Sequence, residues 1–198
     1  MDALWVAPAA TLLMGYLLGS IPFGFLLTRF AGAGDLRTIG SGNIGATNVL
    51  RTGRKGLAAA TLLLDGGKGA VAVLLAQWID PSFGVIGAAG AFFGHCYPVW
   101  LRFNGGKGIA TYAGIAFALS WPVGLVFAGV WIGVLGVTRF SSFSGITAAI
   151  AAPVVAAMWG EFDMTALFIG FGVVVLWKHR ANVERLMAGT EPRVGQKS

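Results

Sequence analysis

The run Ser41-Gly-Asn-Ile-Gly-Ala-Thr-Asn-Val-Leu-Arg51 gathers hydroxyls, amides, glycines and a guanidinium between two long apolar stretches. Those residue types suit an anion. Gly42 and Gly45 can take backbone conformations closed to other residues, and turned N–H groups of that kind make an anion-binding concavity. Ser41, Asn43, Thr47 and Asn48 add neutral hydrogen-bonding groups, and Arg51 adds a planar fork suited to phosphate or carboxylate. A solvated loop with a helix cap has the same composition, so this block alone leaves both readings open. A second polar cluster is Gly94-His-Cys-Tyr-Pro-Val-Trp-Leu-Arg-Phe-Asn-Gly-Gly-Lys-Gly108. Its Lys107 is followed by Gly108 where a nucleotide-binding P-loop requires Ser or Thr, so nucleotide hydrolysis is rejected. Asn104, Gly105 and Gly106 can still expose N–H groups beside Arg102 and Lys107 at a helix start, which reads as a phosphate cradle of another kind. For His95, Trp100 and Arg102 the competing reading is anchoring at a membrane interface.

The elements that position these blocks must be membrane helices. Of 198 residues, 56% are hydrophobic and only 11% charged, and the mean hydropathy is +0.76, far above a soluble domain. The single cysteine, Cys96, cannot form an internal disulfide, and with two histidines no metal or cofactor is expected. The net charge of +6 does not sit on a free arm with interleaved aromatics, so anionic lipid or a phosphorylated substrate fits it better than nucleic acid.

Apolar runs at Leu4–Leu27, Leu57–Trp78, Phe83–Phe93, Ile109–Ser120, Pro122–Val137, Gly145–Trp159 and Met164–Trp177 predict seven spans in one all-α, polytopic domain over residues 1–198. The first is no signal peptide, because it is preceded by Asp2 and no cation. Asp65-Gly-Gly-Lys68 interrupts the second; Asp65 and Lys68, three apart, share a helical face and can pair. An intramembrane lysine normally faces a polar interior, the alternative being a helix that starts late and leaves both residues at the headgroups. Trp121-Pro122 reads as an external turn, and Arg139-Phe-Ser-Ser-Phe-Ser144 as a cytoplasmic loop. From His179 to Arg185 the last helix can continue out of the membrane. Of the 14 Lys and Arg, all but Lys68 fall in segments on one side, while Asp2, Asp80, Glu161 and Asp163 fall on the other. The positive-inside rule then puts the N-terminus outside, the C-terminus in the cytoplasm, and every polar block on the cytoplasmic side.

The residues resemble a known family, the bacterial acyl-phosphate:glycerol-3-phosphate acyltransferases, or PlsY family. The likeness is carried by Gly40–Arg51, by Gly94–Gly108, by Leu64-Asp-Gly-Gly-Lys-Gly69, and by His179-Arg-Ala-Asn182 with Gly189-Thr-Glu191. These blocks cover nearly the whole chain in order. The resemblance implies transfer of a fatty acyl group from acyl phosphate to the sn-1 hydroxyl of glycerol 3-phosphate. The products are lysophosphatidate and phosphate, in the first step of phospholipid synthesis at the bacterial inner membrane. It further implies that Ser41 and Arg51 are functional, that Gly105, Gly106, Lys107 and Gly108 serve glycerol phosphate binding, that His179 and Asn182 belong to the site, and that Glu191 is structural. Membrane lipid is a partner, and association with other phospholipid-synthesis enzymes is expected.

The chemistry agrees with this residue set. An acyl phosphate is a mixed anhydride with a good leaving group, so the enzyme mainly has to orient two anionic substrates and neutralise their charge. Arg51 and Lys107 are assigned to phosphate groups, Ser41 and Asn182 to positioning, and Arg139 with Ser142 to support; Asp65, Lys68 and His95 are structural or supporting. For removing the hydroxyl proton the candidates are His179 and a phosphate oxygen of the donor. His179 and Glu184 mimic an H-x-x-x-x-D box, but i and i+5 do not share a helical face. A transporter would be expected to carry ionisable relays through the bilayer, and only Asp65 and Lys68 lie within a span.

Overall fold

The computed structural model describes residues 4–196; Asp2, expected on the outer side, lies beyond them. All regular structure among the described residues is helical. The helices fall into two compact units that part between Leu119 and Ser120.

The first unit holds α1 (Val6–Gly19), α2 (Phe23–Phe30), α3 (Ala46–Leu50), α4 (Lys55–Ile79), α5 (Gly84–Cys96) and α6 (Ile109–Leu119). Helix α4 is its axis and packs against the other five. Small residues make the close crossings. A Cβ on Gly15, Gly19, Gly90 or Gly94 would run into the backbone of the partner helix across the α1–α5 contact, and one on Gly69 or Gly114 would do so between α4 and α6. With lipid outside as apolar as the helices themselves, close backbone approach of this kind is what holds membrane helices together.

Three expectations are corrected here. The apolar run Leu4–Leu27 is broken at Ser20–Pro22, because Pro22 has no N–H to donate and disfavours helical geometry at Ile21. Asp65-Gly-Gly-Lys68 interrupts nothing: α4 is continuous over 25 residues and already begins at Lys55, so both charges lie deep within it. Helix α5 runs on through His95 and Cys96, which are therefore helical rather than part of the loop.

The second unit holds α7 (Trp121–Thr138), α8 (Ser141–Met158), α9 (Phe162–Lys178) and α10 (Arg180–Met187), with α8 packed on both α7 and α9. Ser120 alone separates α6 from α7, and Trp121 and Pro122 open α7, where proline suits the first turn. The predicted loop 139–144 shrinks to Arg139 and Phe140, since the serines enter the first turn of α8. The last helix does not run straight on: α10 bends from α9 by 61° at His179.

By length and composition five segments can cross a membrane: Val6–Phe30, Lys55–Ile79, Pro81–Leu101, Trp121–Thr138 and Ser141–Met158; the bent pair α9 and α10 makes a sixth. Helix α6, with 11 residues, reaches only ~16 Å against a hydrocarbon core of ~30 Å. The seven expected spans are thus not reached on length alone. Outward apolar side chains such as Trp78, Val137 and Phe162, each more than three-quarters exposed, fit a lipid-facing surface.

Candidate active site

The loop between α2 and α4 is pinned by a small core in which Leu36 and Val49 pack on Ala58, with Leu50 and Leu57 around them. Asn48 organises its backbone. Its Nδ2 donates to the carbonyls of Leu36 (3.0 Å), Ile39 (2.9 Å) and Asn43 (2.8 Å), and its Oδ1 accepts the Ser41 N–H at 3.2 Å. The side chain is buried and both its ends are occupied by the loop, so Asn48 shapes the concavity from behind and does not reach out as a donor. Asn43 Oδ1 accepts the Gly45 N–H at 2.8 Å, leading the chain into α3. Gly40 and Gly42 adopt φ of +53° and +69°, the left-handed region that glycine takes without strain. The loop reading is thus realised in this segment, whereas Gly45, at the N-cap of α3, makes no side-chain cap hydrogen bond.

Arg51 lies over this turned backbone: a Cβ on Gly40 would stand 2.5 Å from Arg51 Nη1. Neighbouring cations are engaged. Arg37 grips Asp35 through Nε (3.0 Å) and Nη2 (2.6 Å), and Arg54 donates to the Ala31 carbonyl at 2.6 Å. The hydrogen bonds from Arg37 hold the Asp35 carboxyl down at about 2. Arg51 is exposed and has no hydrogen-bond or ion-pair partner among the described residues, and Ser41 and Thr47 are exposed in the same segment. The Arg51 guanidinium, and not the loop's turned N–H groups, is what this segment leaves for an anion: the N–H groups of Ser41, Gly42 and Gly45 already donate to Asn48 Oδ1, the Ile39 carbonyl and Asn43 Oδ1.

The second block leaves α5 through Pro98 and turns on Arg102 and Phe103, two non-glycine residues in succession at φ of +51° and +62°. Such conformations cost of order 1–3 kcal/mol each and persist only where the surroundings impose them. Here Arg102 N–H bonds the Val99 carbonyl (3.1 Å), Phe103 N–H that of Pro98 (3.0 Å) and Asn104 N–H that of Leu101 (3.0 Å). Trp100 Nε1 donates to Ser20 Oγ at 2.8 Å, so this aromatic is also tied to the break after α1. The glycines then fold back on the end of α5: Gly106 N–H donates to the His95 carbonyl (3.0 Å) and Gly105 N–H to that of Cys96 (3.2 Å), so the N–H groups of Asn104, Gly105 and Gly106, expected to be exposed, are instead spent on the chain's own carbonyls. There is no room for side chains, since a Cβ on Gly106 would land on the His95 ring and one on Gly108, at φ +85°, on Phe92. Beneath this loop Lys68 Nζ lies 2.7 Å from Asp65 Oδ1 and donates to the Ile21 carbonyl at 2.7 Å. The expected pairing of Asp65 with Lys68 is present, and both side chains are buried within the protein.

In the second unit Glu191 collects three donors. Its Oε1 accepts Ser142 Oγ–H and Asn182 Nδ2–H, each at 2.6 Å, and its Oε2 accepts Arg185 Nε–H at 2.7 Å. Burial pushes the Glu191 carboxyl up, but those three donors outweigh it and hold it below its ordinary value. Ser142 and Asn182 are therefore tied through one carboxylate. Arg139, at φ +62°, donates from Nη2 to the Val194 carbonyl (2.9 Å) and accepts the Val194 N–H (2.8 Å), fastening the C-terminal segment to the start of α8. His179 is buried at the α9–α10 bend with Nδ1 2.8 Å from the Val175 carbonyl. A carbonyl only accepts, so Nδ1 carries a hydrogen. Sequence reasoning missed Arg185 and Thr111, whose Oγ1 donates to the Asp65 carbonyl at 2.9 Å. Arg185 in the last turn of a short helix, six residues before Glu191, was the available signal.

Set beside known proteins, the chain matches the family model described as glycerol-3-phosphate acyltransferase over residues 9–189. It is 55% identical over 186 residues to a glycerol-3-phosphate acyltransferase of Mesorhizobium japonicum, covering 94% of this chain and 95% of that one. It is 51% identical over 198 residues to one of Maricaulis maris, covering 100% and 91%. Its structure is similar to two crystal structures of PlsY, described as an integral membrane glycerol 3-phosphate acyltransferase. The glycerol 3-phosphate form has a TM-score of 0.90 at 37% identity, with 95% of this chain and 96% of that one covered. The lysophosphatidic acid form has a TM-score of 0.86 at 35% identity, with 94% of each covered. By sequence and by fold, this multi-pass membrane protein belongs to the glycerol-3-phosphate acyltransferase family.

Proposed function

We propose that the chain transfers a fatty acyl group from acyl phosphate to the sn-1 hydroxyl of glycerol 3-phosphate, releasing lysophosphatidate and inorganic phosphate. The observation that carries this reading is Arg51, exposed and without a partner among the described residues, lying against the Gly40 backbone beside Ser41. The relatives named for glycerol 3-phosphate and lysophosphatidic acid make the acceptor and product those of the family.

In the reaction the acceptor hydroxyl attacks the acyl carbon. The bond from that carbon to the bridging oxygen breaks, and phosphate leaves with the electron pair. Arg51 and Lys107 hold phosphate groups, with Ser41, Asn43, Gly45 and Thr47 lining the first loop and Arg102, Asn104, Gly105, Gly106 and Gly108 the second. His179 and Asn182 position reacting groups, with Ser142 and Arg139 in support. The hydroxyl proton passes to an oxygen of the departing phosphate. Orientation and charge neutralisation supply the rate, because a mixed anhydride needs no protein nucleophile.

The same reading has seven crossings in the bacterial inner membrane, the N-terminus outside and the C-terminus and all polar blocks cytoplasmic. Helix α6 crosses despite its length because residues 104–108 continue the path as loop. Irregular backbone is tolerated at membrane depth where protein covers it, and Gly106 and Gly108 are buried.

The test is purified protein in detergent with glycerol 3-phosphate and palmitoyl phosphate and no added metal. Phosphate release with lysophosphatidate formation is expected, and palmitoyl-CoA should not substitute, since its acyl carbon is bonded to sulfur and carries no phosphate at the reacting centre for these cations to hold. Efficient turnover with palmitoyl-CoA would overturn the donor assignment. Glycerol 3-phosphate counterflow in proteoliposomes without acyl transfer would overturn the enzyme reading.

A further inference from the structure

Asp65 touches both ends of the Gly105–Lys107 loop. Before the loop, His95 Nδ1 stands 3.7 Å from Asp65 Oδ1, outside hydrogen-bond reach but inside strong electrostatic range. After the loop, Thr111 Oγ1 bonds the Asp65 carbonyl at 2.9 Å. The His95 ring lies directly under the Cα of Gly106, and the His95 carbonyl accepts the Gly106 N–H. On its far side Asp65 is held by Lys68, which also donates to the Ile21 carbonyl at the α1–α2 break. Asp65 thus sits where the two flanks of the loop and a fixed cation converge, its carboxylate facing His95 and Lys68 and its main-chain carbonyl holding Thr111.

A buried ion pair is a poor way to glue helices. Replacing such a pair by apolar residues of similar volume is often neutral or stabilising, and charge inside a span is costly in itself. Helices α4 and α6 already interlock through Gly66, Gly69 and Gly114, so packing does not require the pair. What apolar residues could not do is orient the imidazole edge of His95 and so set the height of Gly106. We propose that Asp65, fixed by Lys68, is a positioning residue: it holds His95 under the Gly105–Gly106–Lys107 loop in the conformation that receives the phosphate of glycerol 3-phosphate. This deepens the acyltransferase reading and rests on it.

The test compares wild type with the isosteric Asp65→Asn and with the apolar pair Asp65→Leu/Lys68→Met. Each is purified in detergent, checked by thermal midpoint and size-exclusion profile, and assayed for KM of glycerol 3-phosphate, KM of palmitoyl phosphate and kcat. Binding of glycerol 3-phosphate alone is measured by calorimetry. The apolar pair should keep the wild-type midpoint or exceed it, yet show a KM and Kd for glycerol 3-phosphate raised at least tenfold with KM for palmitoyl phosphate within twofold. Asp65→Asn, which keeps the shape but not the charge, should fall between. A folded apolar pair with wild-type KM and Kd would overturn the proposal. So would failure of both variants to fold, since the pair would then be a folding determinant. Absence of turnover and of glycerol 3-phosphate binding in wild type would overturn the acyltransferase reading, and this inference with it.

Discussion

Removing the Glu191 carboxylate separates its structural duty from chemistry. Ser142 and Asn182 are each 7% exposed and both donate to Glu191 Oε1 at 2.6 Å. In Glu191→Ala both lose this acceptor inside the protein, at about 1 to 3 kcal/mol each. Arg185 is 37% exposed and can turn to water, so its lost ion pair adds about 1 kcal/mol at most. The alanine variant is thus expected to lose about 2 to 6 kcal/mol. Glu191→Gln keeps an oxygen for Ser142 and Asn182 and gives up only the pairing with Arg185, a loss of about 1 kcal/mol.

The assay is the thermal midpoint in detergent, followed by tryptophan fluorescence from the seven tryptophans. At about 2 to 4 °C per kcal/mol for a chain of this size, the alanine variant should fall by roughly 5 to 20 °C and the glutamine variant by roughly 2 to 4 °C. The sign with pH follows from the lowered Glu191 value. A carboxylate whose folded pKa is depressed stabilises fully above its unfolded value of about 4.3, and that stability is lost as pH falls through the folded value. The wild-type midpoint should therefore drop on acidification below about pH 4, with a shallower drop in Glu191→Gln. Equal midpoints for the alanine variant and wild type, or equal damage from Gln and Ala, would refute the reasoning.

Other outcomes test the two loops and the sidedness. Arg51→Lys and Lys107→Ala should each lower kcat/KM for glycerol 3-phosphate about 10- to 100-fold, because a charged hydrogen bond is worth about 1.5 to 3 kcal/mol and lysine cannot make a two-point contact; near-normal rates for Arg51→Lys would mean that a diffuse positive field suffices. Gly67 meets nothing within 4 Å and sits inside α4, so Gly67→Ala should raise the thermal midpoint by the equivalent of about 0.5 to 1 kcal/mol, whereas Gly106→Ala should cut activity at least tenfold by displacing His95. Single cysteines at Thr38 and Gln196 in a Cys96→Ser background should resist an impermeant maleimide in intact cells while one at Ser82 reacts; labelling of position 38 or 196 from outside would reverse the topology.

Most of the fold was legible because membrane helices announce themselves by apolar run length. The two polar blocks were legible as irregular segments between apolar runs, though their composition alone suited a solvated loop as well as an anion site. What composition hid was direction. Nothing in the first block distinguishes Asn48, turned inward onto three carbonyls, from Ser41 and Thr47, which are exposed. The serines at 141 and 142 look like loop, yet α8 begins at Ser141, because a helix start tolerates small polar residues whose hydroxyls find partners, as Ser142 does on Glu191. Continuity of an apolar run also says little about a break. Pro22 stops α1 from running into α2, and the Ile21 carbonyl at the break accepts from Phe23 N–H and from Lys68, 47 residues on.

The tetrapeptide Gly-Gly-Lys-Gly, at 66–69 and again at 105–108, shows how far flanking residues decide a motif's use. Helix-forming apolar residues on both sides keep the first copy helical. Gly66 and Gly69 there serve as gaps through which α6 approaches, and Lys68 is drawn onto Asp65. The second copy follows Pro98 and the left-handed pair Arg102 and Phe103, so it cannot be helical. Its glycines press backbone against His95, and its lysine stays half-buried. The two lysines therefore sit differently: Lys68 neutralises a carboxylate inside the protein, and Lys107 stands half-buried on an irregular loop, where the proposed function assigns it to a phosphate. On the Asp65 proposal the first copy sets the second at its working height, and replacing both members of the Asp65–Lys68 pair by apolar residues should register in the glycerol 3-phosphate affinity before it registers in stability.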